Sequence, residues 1–156
     1  MTPETDAPLP LSGRIESAMR DSMRARDEQR TQTLRMAMAA AHNLRIANGR
    51  DLTDDEIVDV LTRQVKQRRE SIAMYRDAGH EDRAAAEEAE AAILAEFLPQ
   101  QLTEPEIEAL VRDAIGETGA SGPGDLGRVM GRVAPQTRGR ADGRALSEVV
   151  RRLLAG

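Results

Sequence analysis

The sequence contains no cysteine and no tryptophan, and its aromatic residues are one tyrosine and one phenylalanine. Without cysteine, the chain can form neither disulfide bonds nor thiolate metal sites. Proteins that read unstacked bases offer several aromatic side chains as stacking platforms. A chain with only Tyr75 and Phe97, both at apolar core positions, is therefore expected to contact nucleic acid through shape and phosphate instead.

Long apolar runs are also absent. No segment approaches the length of a membrane span, and the first residues lack the charged and then apolar pattern of a signal peptide. The sequence therefore predicts a cytoplasmic protein with no membrane partner. Residues 1–10 contain three prolines and few apolar side chains, so we expect a disordered tail there.

The composition favours an all-α protein. Alanine, which has the highest helix propensity, occurs 24 times, and apolar residues recur at helical spacing along the chain. Residues 11–98 are predicted to form an N-terminal bundle of about four helices. Residues 99–156 are predicted to form a small C-terminal tail domain of three helices. The oligomeric state stays open.

Local signals predict where several helices begin and end. Thr53 and Thr103 each precede a glutamate by three residues, which is the spacing of a capping box. Gly49 suits the left-handed position just past a helix end. These signals divide the chain into helices joined by short turns.

The C-terminal part has weaker signals. A short helix is expected near Asp125 to Val133, and residues 135–143 are expected to form a loop. Asp142 is placed to cap the last helix. In the N-terminal part, the fourth helix is expected from Glu81 to Leu98, just before Pro99.

Positive charge is concentrated near the C-terminus. Between residues 118 and 154, seven arginines stand against three carboxylates, a local charge of +4 in a chain of net charge −5. Gly127 and Gly131 lie inside a predicted helix, where each costs about 1 kcal/mol relative to alanine. Either helix packing or the close approach of a ligand backbone should offset that cost. The pattern indicates a polyanion partner, and the alternative is a solvated basic face.

A second group of basic residues lies on the third predicted helix. It comprises Arg63, Lys66, Arg68 and Arg69, and helical pairing with Asp59 and Glu70 can neutralise part of it. We interpret this group as a solvated helix face.

Six short motifs resemble the GatB/YqeY family. They occur in the same order and at compatible spacing, and the resemblance extends from about Leu11 to the end. The motifs are TLRM at 33–36, VKQRRESI at 65–72, EFLPQQL at 96–102, ETGAS at 117–121, GRVM at 127–130 and GRADG at 139–143.

The resemblance implies a helical bundle followed by a small helical tail domain. In the amidotransferase that makes Gln-tRNA and Asn-tRNA from mischarged precursors, the B subunit ends in a similar region. There the tail domain helps to hold the tRNA while the chemistry resides elsewhere. A free-standing relative would keep the tRNA-facing module without the catalytic domain.

We therefore predict a non-catalytic protein that binds tRNA or structured RNA through its tail domain. Arginine is suited to phosphate contact, and glycine permits close approach of a backbone. The predicted RNA-binding residues are Arg128, Arg132, Arg138, Gly139, Arg140, Gly143 and Arg144.

No catalytic, cofactor-binding or metal-binding residues are predicted. His42 and His80 are far apart in the sequence, and the glycine-rich stretch at 121–127 lacks the lysine of a phosphate-binding loop. Two alternatives stay open. One is a protein–protein adaptor or accessory factor, for example of an amidotransferase. The other takes the family label literally, as part of a carbon–nitrogen ligase with glutamine as amido-N-donor.

Overall fold

The computed structural model of the chain describes residues 8–156, and the predicted tail at residues 1–10 lies outside them except for its last three positions. Within the described residues all regular secondary structure is helical, which confirms the all-α prediction. The α-helices are α1 (Leu11–Arg24), α2 (Glu28–Asn48), α3 (Asp54–Asp77), α4 (Glu81–Ala95), α5 (Glu104–Thr118), α6 (Leu126–Thr137) and α7 (Gly143–Leu154), with a short 3₁₀ helix at Pro123–Asp125.

The chain divides into two compact units, an N-terminal unit that ends at Phe97 and a C-terminal unit from Leu98 to Gly156. In the N-terminal unit α1 packs on α2, and α3 packs on α4. Leu34, Leu61 and Leu94 are fully buried and come from three different helices. Phe97 is buried as predicted, whereas Tyr75 is only half-buried and its ring lies under the guanidinium of Arg83.

Both predicted capping boxes form. The Thr53 hydroxyl accepts the backbone N–H of Glu56 at 3.2 Å, and the Glu56 carboxylate accepts the backbone N–H of Thr53 at 3.2 Å. The same reciprocal pair joins Thr103 and Glu106 at the start of α5. Gly49 ends α2 with φ +68°, the left-handed conformation that its sequence position indicated.

Two helix ends differ from the prediction. Helix α4 ends at Ala95 rather than Leu98, because a residue that precedes proline avoids helical backbone angles and the chain turns before Pro99. Helix α6 continues through Pro135 to Thr137, one turn beyond the predicted end. This extra turn buries Thr137, whose hydroxyl donates to the Val133 carbonyl at 3.1 Å.

The C-terminal unit has its own core. It combines side chains of α5, α6 and α7 that repeat at helical spacing. The buried members are Ile107, Val111, Ala114, Val129, Val133, Leu146, Val149, Val150 and Leu154. This core fixes which faces of α6 and α7 point outward.

Candidate nucleic-acid interface in the C-terminal unit

Helix α6 directs Arg128 and Arg132 away from the core. Val129, Val133 and Thr137 repeat every four residues and are buried, so the residues just before them point outward. The two arginine side chains are 56% and 55% exposed. The two residues are four positions apart on α6 and therefore share an exposed face of this helix.

Both arginines have carboxylate partners within the unit. Arg128 Nη2 lies 2.5 Å from Asp125 Oδ1. Arg132 donates from Nε and Nη2 to Glu117 Oε2 at 2.7 and 2.6 Å. The face is therefore a set of surface ion pairs rather than a row of free cations.

Asp125 is held as a carboxylate by several donors. The backbone N–H of Ser121 donates to Oδ2 at 2.9 Å, and that of Gly122 does so at 3.4 Å. These hydrogen bonds, led by the one from Ser121 and joined by Arg128, lower the pKa of Asp125 from its ordinary value. Asp125 thus organises the turn that precedes α6 and also orients Arg128.

Gly127 and Gly131 lie on the exposed side of α6. Apart from the chain neighbours and the backbone of α6 itself, a methyl group placed on either residue would meet no described atom within 4 Å. Helix packing within the described chain therefore does not require these glycines. What they leave is open space on the surface beside Arg128 and Arg132, where another backbone can come close.

The loop between α6 and α7 is tied to the segment that precedes α5. Gln101 Nε2 donates to the Gly139 carbonyl at 2.6 Å, and the Leu102 backbone N–H donates to the Arg140 carbonyl at 2.8 Å. Arg140 Nε donates to the Gln100 carbonyl at 3.1 Å. Gly139 is buried and adopts φ +70°, a conformation that favours glycine.

The remaining predicted residues surround this loop. Arg138 is exposed at the end of α6, and Arg140 is half-buried. Gly143 and Arg144 open α7, and the Arg144 side chain is 81% exposed with Nε 3.7 Å from Glu148 Oε1. Asp142 occupies the N-cap position of α7 as predicted, but its side chain accepts no capping hydrogen bond, so that part of the prediction is wrong. The backbone amides of the first turn of α7 are therefore not used by this side chain.

The structure assigns Gln101 a role that sequence reasoning missed. Gln101 belongs to the motif at 96–102, but its partner at Gly139 is 38 positions away in the chain. No local pattern specifies such a contact. The only sequence signal for this role is that Gln101 belongs to the EFLPQQL motif at 96–102.

The C-terminal unit as a whole is neutral. Its eight arginines are matched by eight aspartate and glutamate residues, several of them on α5, so the net charge of −5 resides in residues 1–97. Arg152, near the end of α7, lies 3.4 Å from Glu108 of α5. The positive charge predicted for residues 118–154 is a property of one segment, and α5 offsets it.

The described residues include no cluster of three or more histidine, aspartate or glutamate side chains that could hold a metal ion. None of the helices in residues 8–156 has the length and the apolar character needed to cross a membrane.

These features define a small, all-helical, two-unit protein with an arginine- and glycine-bearing face on its C-terminal unit. Residues 12–154 match the family model described as Yqey-like protein. The chain belongs to the Yqey-like family, as its motifs indicated.

A curated relative is similar over most of the chain. It is "Altered inheritance of mitochondria protein 41, mitochondrial" of Pyrenophora tritici-repentis (strain Pt-1C-BFP), which is 29% identical over 130 residues, covering 82% of this chain and 71% of the relative. The relative's name refers to mitochondria, and a cytoplasmic location for this chain stays a prediction.

Proposed function

We propose that this protein binds tRNA or a similarly structured RNA through its C-terminal unit, without catalysing a reaction on it. The contact surface consists of the exposed face of α6 and the loop that leads into α7. The observation that carries the proposal is the open space at Gly127 and Gly131 beside two exposed arginines. Gly131 lies inside α6, where glycine lowers helix stability by about 1 kcal/mol relative to alanine. Close approach of an RNA backbone gives both glycines a use.

The ion pairs on this face are compatible with phosphate binding. Exposed pairs such as Arg132 with Glu117 contribute about 0–1 kcal/mol each, so a phosphate can replace the carboxylate at small cost. Guanidinium groups form two parallel hydrogen bonds with phosphate oxygens, which makes the exchange favourable. In the free protein, Asp125 and Glu117 hold the side chains of Arg128 and Arg132 on the face that would contact RNA.

Recognition by shape follows from the composition. Phe97 is buried and Tyr75 is half-buried in the N-terminal unit, and neither lies on the proposed face. The proposed face therefore binds RNA without stacking bases on aromatic side chains. Binding dominated by phosphate contacts weakens steeply as salt is raised, because it depends on the release of counterions.

A filter-retention assay of tRNA binding across a salt series tests the proposal. The main variant replaces Arg128, Arg132, Arg138, Arg140 and Arg144 with glutamine. The control replaces five exposed arginines of the N-terminal unit with glutamine, so that both variants lose five positive charges. These are Arg14, Arg20, Arg24, Arg35 and Arg45. We expect salt-sensitive binding that the main variant loses and the control keeps. Equal loss in both variants, or wild-type affinity in the main variant, contradicts the site.

A second candidate function is a protein–protein adaptor. It is favoured by large apolar side chains that the helices of the N-terminal unit leave exposed, which are Met23, Met36, Ile46 and Met74 at 53–72% exposure. A pulldown treated with nuclease distinguishes the two functions. Protein partners that survive the treatment and are lost on replacing these four residues with serine support the adaptor, whereas loss of every partner with the RNA counts against it.

A further inference from the structure

Helix α3 carries a group of basic residues that the function proposed above does not use. The sequence places Arg63, Lys66, Arg68 and Arg69 together, but the structure separates one of them from the rest. Arg68 is only 8% exposed, and its Nε lies 3.5 Å from Glu90 Oε2 of α4. Arg63, Lys66 and Arg69 are exposed.

These three exposed cations have no ion pair with any described residue. Residues 1–97 contain 19 carboxylate side chains against 14 arginines and lysines, so acidic partners are abundant in this unit. Glu70 lies one helical turn beyond Lys66, yet the two side chains do not pair. Most other arginines of the unit do have partners, namely Arg20, Arg24, Arg30, Arg45, Arg50, Arg68 and Arg76.

The three residues form a curved row on the surface of α3, because two steps of three residues leave Arg63 and Arg69 about 120° apart around the helix axis. Residues three positions apart are neighbours on a helix surface, and the rise of 1.5 Å per residue places the ends of the row about 9 Å apart along α3. Along one strand of a nucleic-acid duplex, a charge recurs about every 3.4 Å of axis, so the row extends over about three phosphates. A patch of exposed cations that form no ion pair with a described residue is suited to contact neighbouring phosphates.

We propose that the exposed face of α3 formed by Arg63, Lys66 and Arg69 is a second RNA contact that binds the phosphate backbone. The proposal takes its ligand class from the function proposed for the C-terminal unit, but it concerns separate residues in the other unit. Carboxylates of an acidic protein are the competing ligand. Phosphates are favoured because no ion pair joins Arg63, Lys66 or Arg69 to a carboxylate of the described residues, Glu70 included.

The uniqueness of Lys66 permits a direct test on the full chain. Lys66 is the only lysine, so an amine-acylating reagent modifies Lys66 and the α-amino group alone. We expect unmodified tRNA transcript to slow the acylation of Lys66 severalfold relative to the α-amino group. An unchanged Lys66 rate at tRNA concentrations that saturate binding overturns the proposal. Equal protection by polyglutamate at the same concentration of charge overturns the choice of RNA as ligand.

Variants separate the two contacts. Arg63→Gln, Lys66→Gln and Arg69→Gln are combined, and the matched control combines Arg20→Gln, Arg24→Gln and Arg45→Gln, which have the same charge change at paired positions. We expect the α3 variant to lose at least about tenfold in tRNA affinity at low salt, and its salt slope to fall by about two to three. The control should stay close to wild type.

The outcomes distinguish failure here from failure of the C-terminal site. Wild-type affinity in the α3 variant, with binding lost in the five-arginine variant described above, overturns the α3 contact alone. The reverse result overturns the C-terminal site and upholds α3. An equal loss in the α3 variant and its control shows a general charge effect, which also overturns the α3 contact.

Discussion

Arg132 of α6 and Glu117 of α5 form an ion pair in which both Nε and Nη2 of the guanidinium contact Oε2 of the carboxylate, at 2.7 and 2.6 Å. The two residues are 15 positions apart, and helix packing brings them together. Glu117 therefore competes with any phosphate for one of the predicted RNA-binding arginines.

Removing this competitor should strengthen RNA binding. We expect Glu117→Gln to raise tRNA affinity by up to about fivefold, since exposed ion pairs contribute about 1 kcal/mol or less. The matched control is Asp113→Asn, an exposed carboxylate one turn earlier on α5. Titrations at one salt concentration measure the effect. An equal gain in both variants would show that only net charge matters.

The exposed glycines of α6 allow stability and binding to be separated. Gly131→Ala should stabilise the protein by about 0.5–1 kcal/mol, because alanine favours the helix and the added methyl group meets no described atom outside its chain neighbours and the backbone of α6. The same methyl group should weaken tRNA binding if an RNA backbone comes close there. Urea unfolding and tRNA titration give the two quantities. Unchanged affinity together with higher stability would remove the functional reason for this glycine.

The anchored loop before α7 should depend on Gln101. Gln101→Ala removes the side-chain amide that donates to the carbonyl of the buried Gly139. We expect the free energy of unfolding to fall by about 1–3 kcal/mol. Hydrogen exchange should become faster at two backbone amides. The Leu102 amide donates to the Arg140 carbonyl, and the Arg140 amide donates to the Thr137 carbonyl. Gln100→Ala is the control, since that residue contributes its carbonyl and not its side chain. Identical exchange in both variants would contradict the anchor.

The pair of Arg68 with Glu90 should stabilise the N-terminal unit. Arg68 is buried, so Glu90→Gln removes the charge that compensates it. Because Glu90 is 30% exposed, we expect the free energy of unfolding to fall by about 1–3 kcal/mol, less than for a fully buried pair. Replacing Arg68 with methionine and Glu90 with leucine together should cost less than Glu90→Gln alone. Urea unfolding measures this difference, and a larger cost for the double variant would contradict it.

Glu56 should contribute to the acid sensitivity of the protein. Hydrogen bonds from Arg50 and then from the Thr53 backbone lower the pKa of Glu56 from 4.5 to about 2. A depressed carboxyl pKa stabilises the folded state above pH 4.5, and this contribution is lost as the pH falls from 4.5 towards 2. The wild type should therefore have a higher Tm than Glu56→Gln at neutral pH. This difference should be largest there and should vanish near pH 2. A constant difference would show that the charge is not involved.

Much of the fold was predictable because its signals are local. Thr53, Thr103 and Gly49 act on backbone groups within one helical turn, so their residue types indicate their structure. The end of α6 was not predictable in this way. Pro135 suggested a stop, but the helix continues through it to Thr137, which is buried.

The candidate site shows the same division. That Arg128 and Arg132 share a face follows from their spacing of four residues. That Arg132 is paired with Glu117, and that Gly139 is held by Gln101, depends on contacts between segments far apart in the chain. Among the basic residues of α3, the sequence grouped Arg68 with its neighbours, and only packing on α4 buries it.

The sequence by itself determined the all-helical class, the capping boxes and the apolar stripes, because these depend on residues three or four positions apart. It also determined the family, through six ordered motifs. Tertiary structure alone decided which arginines are paired, which one is buried and which glycines face open space. The partners in these contacts come from other helices, and the electrostatic free energy of a side chain depends on what lies around it in space.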